Sequence, residues 1–303
     1  MDTMPTRRPK GQAMTGRLRI AFYFLLAVTL TGVARAGGSI RVAEELDVNY
    51  SYTGNAAVTG SGLTGAKIDE HSAGVKFVVS SQMTRDLLLR IGGEWQRFSF
   101  GVPAGVPVPA TLQQVSAVIG CDYQVGGSWI MRAELQPGVY SDFTDVTGGD
   151  VDAPFVLAGV YLVNPDLQWL LGLHVDARSQ YPVLPVAGVR WKFADEWTLN
   201  FMLPKPRLEY DMNDRVQLYL GAGLAAGTFR VGDNYSLAKL DRQLVDYLEV
   251  RVGAGWSWKI TPTLQMEVEA GTLAYREFNF FNATTDYRSN GAPYGQVACH
   301  ARF

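Results

Sequence analysis

Residues 244–260 read LVDYLEVRVGAGWSWKI and alternate between two chemically different sets of side chains. From Leu248 onward every second position is apolar, and two of these positions are tryptophans. The positions between them carry Glu249, Arg251 and Lys259 together with glycine and serine. Period-two alternation is typical of a β-strand with one apolar and one wet face. This stretch therefore predicts an amphipathic strand.

The same alternation recurs along most of the chain. It is present in IRVAEELDVNYSY and TLQMEVEAGTLAY, and in segments that start near residues 68, 86, 111, 128, 153, 167, 183 and 215. Turn sequences such as VGGS, NPD and MND separate these segments. A soluble sandwich buries its apolar faces between two sheets, whereas a membrane barrel turns them outward to lipid. Alternation alone is compatible with both, so the sequence predicts an all-β fold and leaves this choice to other features.

Loop lengths and tryptophan positions favour the barrel. Read backward from the C-terminus, short turns on one side of the sheet alternate with longer loops on the other, as in outer-membrane barrels. This alternation holds only if WTLNFMLPKPRLEY folds back on itself between Pro204 and Pro206. The hairpin gives fourteen antiparallel strands, with twelve as the alternative, whereas the chain without it gives thirteen, an odd number that bacterial single-chain barrels avoid. Six of the seven tryptophans then lie at the periplasmic rim, where indoles favour the headgroup level: Trp129, Trp169, Trp191, Trp197, Trp256 and Trp258.

The N-terminus predicts export. Basic residues precede the apolar stretch IAFYFLLAVTLTGV, and the small-x-small sequence ARA follows it. This is the layout of a secretory signal peptide, and its apolar stretch is short for a membrane anchor, which needs about 20 residues. We therefore predict a signal peptide over residues 1–36, cleaved after Ala36, and a barrel over residues 37–303. The expected location is the cell outer membrane.

The C-terminus, YGQVACHARF, also alternates and ends on an aromatic residue, Phe303. A terminal aromatic after alternating apolar positions resembles the C-terminal signature that the barrel-assembly machinery of the outer membrane reads. The predicted partners are therefore this machinery and the lipid of the outer membrane. The alternative is an edge strand that simply ends there. The oligomeric state stays open.

Several segments together resemble a known family. LQPGVYSDF, YPVLPVAGVRWKF, EWTLNFMLPKPRLEY and APYGQVACHARF are similar to a family of exported outer-membrane barrels of unknown function. The similarity covers most of the chain after residue 36 and is most specific in its central third, which is rich in proline and tryptophan. It implies a barrel fold and an outer-membrane location, and it implies no activity.

The phase of the strands places charged side chains of both signs in the barrel lumen. Enclosed charges have to pair, so one reading is an ion network that braces a plugged structural or interaction barrel. The other is the polar wall of a passive or gated, porin-like channel for small solutes, in which balanced signs give little ion selectivity. The predicted lumen-lining residues are Arg90, Glu94, Arg132, Glu134, Arg190, Lys192, Glu249, Arg251, Glu267 and Glu269.

Other charged residues carry less definite expectations. Arg41, Lys76, Arg178, Lys259, Glu45, Asp47, Asp122 and Asp176 share the lumenal phase. Glu44, Arg97 and Arg276 fall on the lipid-facing phase, either near strand ends or where a bulge shifts the register.

No pattern in the chain predicts an enzyme, a cofactor or a metal site. GAGLAAG resembles a dinucleotide loop, but TFRVGDN follows it where that motif needs a helix. The acidic residues of SDFTDVTGGDVDA lack the spacing of a calcium loop. A hydrolase at the outer rim would use His71 or His174, each with an aspartate two residues away, and this remains the weakest hypothesis. The formal charge of −2 gives no reason to expect nucleic acid.

Overall fold

In a computed structural model, the structure describes residues 42–233 and 237–303. The predicted signal peptide and Arg41 lie outside the described residues. Seventeen hydrogen-bonded segments form one continuous sheet. Three spanning strands consist of two segments each, so the sheet is a closed antiparallel barrel of fourteen strands. No helix in the described part of the chain is long and apolar enough to cross a membrane.

The strands follow one another around the barrel in chain order. They are β1 (Val42–Gly60), β2 (Leu63–Gln82), β3 (Leu87–Phe100), β4 (Thr111–Val125), β5 (Trp129–Leu135 and Gly138–Ser141), β6 (Val151–Asp152 and Phe155–Asn164), β7 (Leu167–Val175), β8 (Val183–Lys192), β9 (Trp197–Phe201), β10 (Arg207–Asp211), β11 (Val216–Arg230), β12 (Leu244–Lys259), β13 (Leu264–Phe280) and β14 (Thr285–Asn290 and Pro293–Arg302).

The barrel closes between its first and last strands. Glu45 pairs with Arg302, and the antiparallel ladder continues to Thr53 opposite Tyr294. Because the strand number is even, Val42 and Phe303 lie at the same end, which we call the terminus end; the opposite end is the loop end. Pro137 interrupts β5 because proline has no N–H to donate to a ladder.

The predicted hairpin between Pro204 and Pro206 is confirmed. It separates β9 from β10, and the two strands pair from Trp197 opposite Tyr210 to Asn200 opposite Arg207. Both strands have only five residues, so this hairpin stops well below the loop end. The fourteen strands that depend on it are confirmed as well.

Each strand presents one apolar face to the outside. On β12, Trp256 is 45% exposed on the outer face, whereas Glu249 on the lumenal face is fully buried. The six tryptophans predicted at one rim all lie in the parts of their strands nearest the terminus end. Five of them are among the exposed large hydrophobic residues: Trp169, Trp191, Trp197, Trp256 and Trp258.

The polarity of the wall reverses near the loop end. There the lumenal faces of β1–β5 and β11–β14 carry apolar and aromatic side chains that pack across the lumen into one core. Phe98 of β3 lies 4.9 Å from Tyr247 of β12 between ring centroids, and Phe100 of β3 lies 5.0 Å from Phe278 of β13. On the same strands the outer faces carry polar residues such as Lys67 and Arg97. We call this region, with its core inside and its polar side chains outside, the cap.

The cap has fewer strands than the rest of the barrel. Ser141 at the loop end of β5 pairs in parallel with Arg230 of β11, so β6–β10 take no part in the wall there. The cap also changes two expectations. FFNATTDYRSNGAP, which the backward count from the C-terminus predicts as one of the longer loops, is largely strand because β13 and β14 extend into the cap. The leucines of SLAKLDRQLVDYL have the spacing that favours a short helix, but Ala238–Leu240 form only a 3-10 turn and Leu244 already begins β12.

Candidate functional site

The ten predicted lumen-lining residues all lie on the lumenal face, where most of them are paired. One group spans β1–β5. Lys76 contacts Glu94 at 3.1 Å and Glu134 at 3.3 Å. Arg90 contacts Glu134 at 3.7 Å. Lys76 and Glu94 are paired on the adjacent strands β2 and β3, whereas the two contacts to Glu134 of β5 join strands that are not neighbours and brace the wall across the lumen.

Arg132 completes this group. Its guanidinium donates two hydrogen bonds of 2.6 Å to the carboxylate of Asp122 on the adjacent strand. Bidentate pairing of this kind fixes both side chains against the wall. Arg190 and Lys192 follow on the lumenal face of β8, where Arg190 lies opposite Asn200 of β9.

A second group lies beside the β9–β10 hairpin. Arg207 of β10 contacts Glu267 at 3.0 Å and Glu269 at 3.3 Å, and its guanidinium lies 3.8 Å from the ring centroid of Tyr219. The imidazole of His300 lies 3.8 Å from Glu267 on its Nε2 side. On its Nδ1 side it is 2.5 Å from Asp47.

A third group lies directly below the cap core and is the most deeply buried. Arg276 donates to Glu249 at 2.8 Å and also contacts Glu70. Arg251 donates to Glu70 at 3.1 Å, and the hydroxyl of Tyr247 donates to Glu249 at 2.9 Å. We call these five residues the ion cluster. Its two carboxylates and two guanidinium groups balance in charge, which is what a site without water requires.

Sequence reasoning missed two of these lumenal charges and left a third open. Alternation places Arg276 on the lipid-facing phase, either near a strand end or where a bulge shifts the register, and the bulge is confirmed. Arg251 pairs with Leu273, but its neighbour Val250 pairs with Tyr275, so a bulge in β13 turns Arg276 into the lumen. Glu70 and Arg207 were not singled out, although Glu70 shares the phase of Lys76 on β2. That shared phase was the signal that could have identified it.

The predicted phase is wrong for one further charged residue and correct for two others. Arg178 lies in the loop between β7 and β8, and its guanidinium donates to the carbonyl of Val151 at 2.9 Å, so it does not line the lumen. Glu44 and Arg97 are exposed on the outer face, near the ends of the apolar band, as their phase predicted.

Lumenal charges of β1 near the terminus end are partly exposed, whereas Arg90 at the same end and the charges next to the cap are buried. The side chain of Asp47 is 42% exposed and that of Glu45 is 32% exposed. Glu134 is 1% exposed, and Glu70 is fully buried. Solvent therefore reaches the lumen from the terminus end and is excluded at the ion cluster. We call the solvated part the chamber.

The two histidines of the hydrolase hypothesis lie on opposite sides of the wall. His71 is on the outer face, where its Nδ1 lies 2.7 Å from the hydroxyl of Tyr50 and its ring lies 4.8 Å from Tyr52. His174 is buried on the lumenal face of β7 opposite Leu184. The two histidines therefore do not share a site, and each would have to act with its own aspartate.

The remaining motifs have structural roles. GAGLAAG lies within β11, without the helix that a dinucleotide site needs. In the acidic loop, Asp142 accepts from the N–H of Gly232 at 2.8 Å, and Asp150 accepts from the N–H of Thr147 at 2.5 Å. Across the described residues, no three acidic, histidine or cysteine side chains form a group that could hold a metal ion.

Comparisons with known proteins bear on the fold. A family model described as a domain of unknown function (DUF6268) matches residues 66–291. The structure is similar to the COG4313 outer membrane channel from Pseudomonas putida F1, with 10% identity, coverage of 88% of this chain and 97% of the channel, and a TM-score of 0.50. This likeness shows the fold, and it confirms the outer-membrane β-barrel architecture that the resemblance implied.

Two further structures are more distant. The P. putida toluene transporter TodX matches at 10% identity over 86% of this chain and 90% of TodX, with a TM-score of 0.40. A Pseudomonas aeruginosa FadL homologue matches at 12% identity over the same shares, with a TM-score of 0.36. At these scores neither likeness supports an argument about this chain. No curated protein matches the sequence.

Proposed function

Because the chain belongs to the family described as a domain of unknown function (DUF6268), we infer its function from its own geometry and propose that it is a gated channel of the outer membrane. In this proposal residues 1–36 are the signal peptide, the terminus end faces the periplasm, and the cap faces the exterior. The chamber admits small solutes from the periplasmic side. The protein is not an enzyme.

The chamber is the observation that supports a channel. At the terminus end the lumenal charges of β1 are partly exposed, with Asp47 at 42% and Glu45 at 32%. A purely structural barrel gains nothing from a solvated interior, because filling it with apolar side chains is less costly than enclosing charges. Glu70, Arg207 and Arg276 add charges of both signs, so the net charge of the lumenal wall stays close to zero. We therefore propose weak selectivity between small cations and anions.

The cap is the reason for proposing a gate. Rings from β3 contact rings from β11, β12 and β13, so the core closes the axis between strands that are far apart in the sheet. A solute that moves along the axis has to displace this core and the ion cluster beneath it. The channel is thus closed along its axis in this conformation.

A barrel with a permanently plugged lumen, serving structure or interaction, is the second candidate. The ion cluster favours it, because Glu70, Glu249 and Arg276 are fully buried and braced by each other. The two candidates differ in one property: a gated channel opens at times, and a plugged barrel does not.

Planar-bilayer recordings separate the two candidates. The wild type is expected to show infrequent discrete conductance steps. Phe98→Ala combined with Phe229→Ala removes two rings of the cap core and is expected to make the steps more frequent. The matched control is Phe201→Ala, because Phe201 is 56% exposed on the outer face and touches no lumen. Silence of both the wild type and the double variant, with folded barrel verified by heat-modifiable gel mobility, would show a plugged structural barrel instead.

A further inference from the structure

The short β9–β10 hairpin leaves a break in the hydrogen-bonded wall. The β8–β9 ladder ends at Val189 opposite Phe201, and the β10–β11 ladder ends at Arg207 opposite Gly221. Two backbone hydrogen bonds, donated by N–H groups of β11 to the carbonyls of Pro204 and Pro206, connect the tip of the hairpin to β11. Beyond them, residues 183–188 of β8 and residues 225–229 of β11 have no ladder between them in the described part of the barrel.

Side chains close this break by overlap. Leu184, on the lumenal face of β8, packs against Ala226 and Leu248, which lie on the outer faces of β11 and β12. The edge of β8 therefore lies over the outer faces of β11 and β12. We call this contact, together with the loop of residues 176–182, the seam.

A small polar latch holds the loop part of the seam. Asp246, on the outer face of β12, accepts from the Ser179 hydroxyl at 3.2 Å and from the Gln180 N–H at 3.0 Å. The Gln180 side chain accepts from Asn279 of β13 at 2.7 Å. These bonds and the contact of Leu184 join β8 and its loop to the cap.

The lumen beside the seam is apolar, unlike the rest of its wall. Val160 of β6, Leu170 of β7 and Val186 of β8 form a buried cluster on the lumenal face, and Met202 and Leu203 of the hairpin pack against it. The outer faces of the same strands are apolar as well, with Leu171 56% exposed and Val183 54% exposed. A molecule that passes through the seam thus meets apolar side chains on both sides.

Opening the seam costs less than opening any other part of the wall. Parting two paired strands within a bilayer leaves backbone groups without partners, at several kcal/mol for each group in order of magnitude. Parting the seam breaks the few hydrogen bonds of the latch but no ladder, and it exposes the apolar side chains of the seam to lipid, which is itself apolar. The axial exit is filled by the cap core. The seam is therefore the least costly way out of the lumen.

We propose that the seam is a lateral gate through which small apolar molecules move between the lumen and the bilayer. The inference rests on the proposed channel function and gives it a substrate class and a route. Asp246 is the latch of the gate, and the cluster around Val160 and Leu170 is the apolar surface that a molecule contacts before it leaves.

A reversible cross-link tests the gate. In a background with Cys121→Ala and Cys299→Ala, Leu184→Cys and Ala226→Cys place one thiol on each side of the seam. The control pair is Ile91→Cys with Ile119→Cys, which join β3 and β4 where they are already paired. The probe is N-phenyl-1-naphthylamine, whose fluorescence rises when it enters lipid, added to cells that produce each variant. Oxidation of the seam pair is expected to abolish the uptake that depends on the protein, and dithiothreitol is expected to restore it, whereas the control pair has no effect.

The outcomes separate the gate from the channel. A seam pair that cross-links but leaves uptake unchanged would overturn the gate, and so would a seam pair that does not cross-link in folded protein. A cross-linked seam with intact conductance steps and lost uptake supports the gate. If the wild type shows neither steps nor uptake, the channel proposal itself fails.

The latch gives a second test. Asp246→Ala is expected to speed probe uptake, because it frees the loop without touching the chamber. Asp145→Ala in the acidic loop is the matched control, since the Asp145 side chain is 61% exposed and its ion-pair partner is Arg242 of the loop before β12. Uptake that is equal in the two variants would contradict the role of Asp246.

Discussion

At the residue scale, the ion cluster shows how enclosed charge is tolerated in this barrel. Glu70 and Glu249 on strands that are not adjacent share Arg276, and Arg251 supports Glu70 from a third direction. Such a cluster is expensive to dehydrate, so it adds little net stability compared with an apolar core. Removing one member destabilises the fold, because the remaining charges stay buried and their sum is no longer zero.

Glu70→Ala therefore has a large expected effect. It leaves two guanidinium groups next to one carboxylate in a site without water, and breaking a buried pair in this way costs about 3–5 kcal/mol. The measurement is the free energy of unfolding in urea after refolding into lipid vesicles. Asp233→Ala is the matched control, because its partner Arg242 is exposed in a loop, and it is expected to leave stability unchanged. Equal stability of the two variants would show that the ion cluster is solvated.

At the element scale, the outer face of each long strand passes from lipid to water along its length. On β3, Ile91 and Trp95 face outward in the apolar band, and Arg97 and Ser99 face outward two and four residues beyond Trp95. On the lumenal face the order is reversed, from Arg90 and Glu94 to the cap rings. One strand is thus built for a membrane in its first part and for a water-soluble core in its second.

Two arginine substitutions on the outer face test this change from lipid to water. Ile91→Arg places a cation in the middle of the apolar band, where its cost is about 2–4 kcal/mol. Thr111→Arg places the same side chain on the outer face of the cap, where it meets water and is expected to be tolerated. The fraction of protein that refolds into vesicles, measured by heat-modifiable gel mobility, is expected to fall for Ile91→Arg alone. A comparable fall for both would contradict the boundary.

Strand pattern predicted the elements more reliably than it predicted their surroundings. Alternation and the proline-containing hairpin were enough for fourteen strands and for the tryptophan rim, because both follow from the two-residue period of a strand. The cap was not predicted, because Phe98 continues the lumenal phase of the charged residues of β3 and alternation does not reveal what lies across the lumen. On β13, Phe278 and Arg276 reach the lumen only because a one-residue bulge reverses every side chain beyond it, and alternation alone could not choose between that bulge and a strand end for Arg276.

At the scale of the whole molecule, the barrel consists of two tiers with opposite polarity. The membrane tier has fourteen strands, apolar side chains outside and a charged lumen inside. The cap uses only β1–β5 and β11–β14 and encloses an aromatic core. The difference in strand number forces β6–β8 to end beside the cap, and the seam is the result. Channel, gate and cap thus depend on one feature, the place where the outer surface changes from lipid to water.

The most direct measurement of the boundary between the lipid-facing and water-facing parts of the outer surface is a depth profile along β3. Single spin labels are attached at outer-face positions 89, 91, 95, 97 and 99 of the protein in vesicles, in the background without native cysteines, and their collisions with oxygen and with a water-soluble nickel chelate are recorded. The account predicts that labels at positions 89, 91 and 95 meet oxygen and little nickel, and that labels at 97 and 99 meet nickel. Access of the nickel chelate to all five positions would contradict it, since the apolar face would then not lie in lipid.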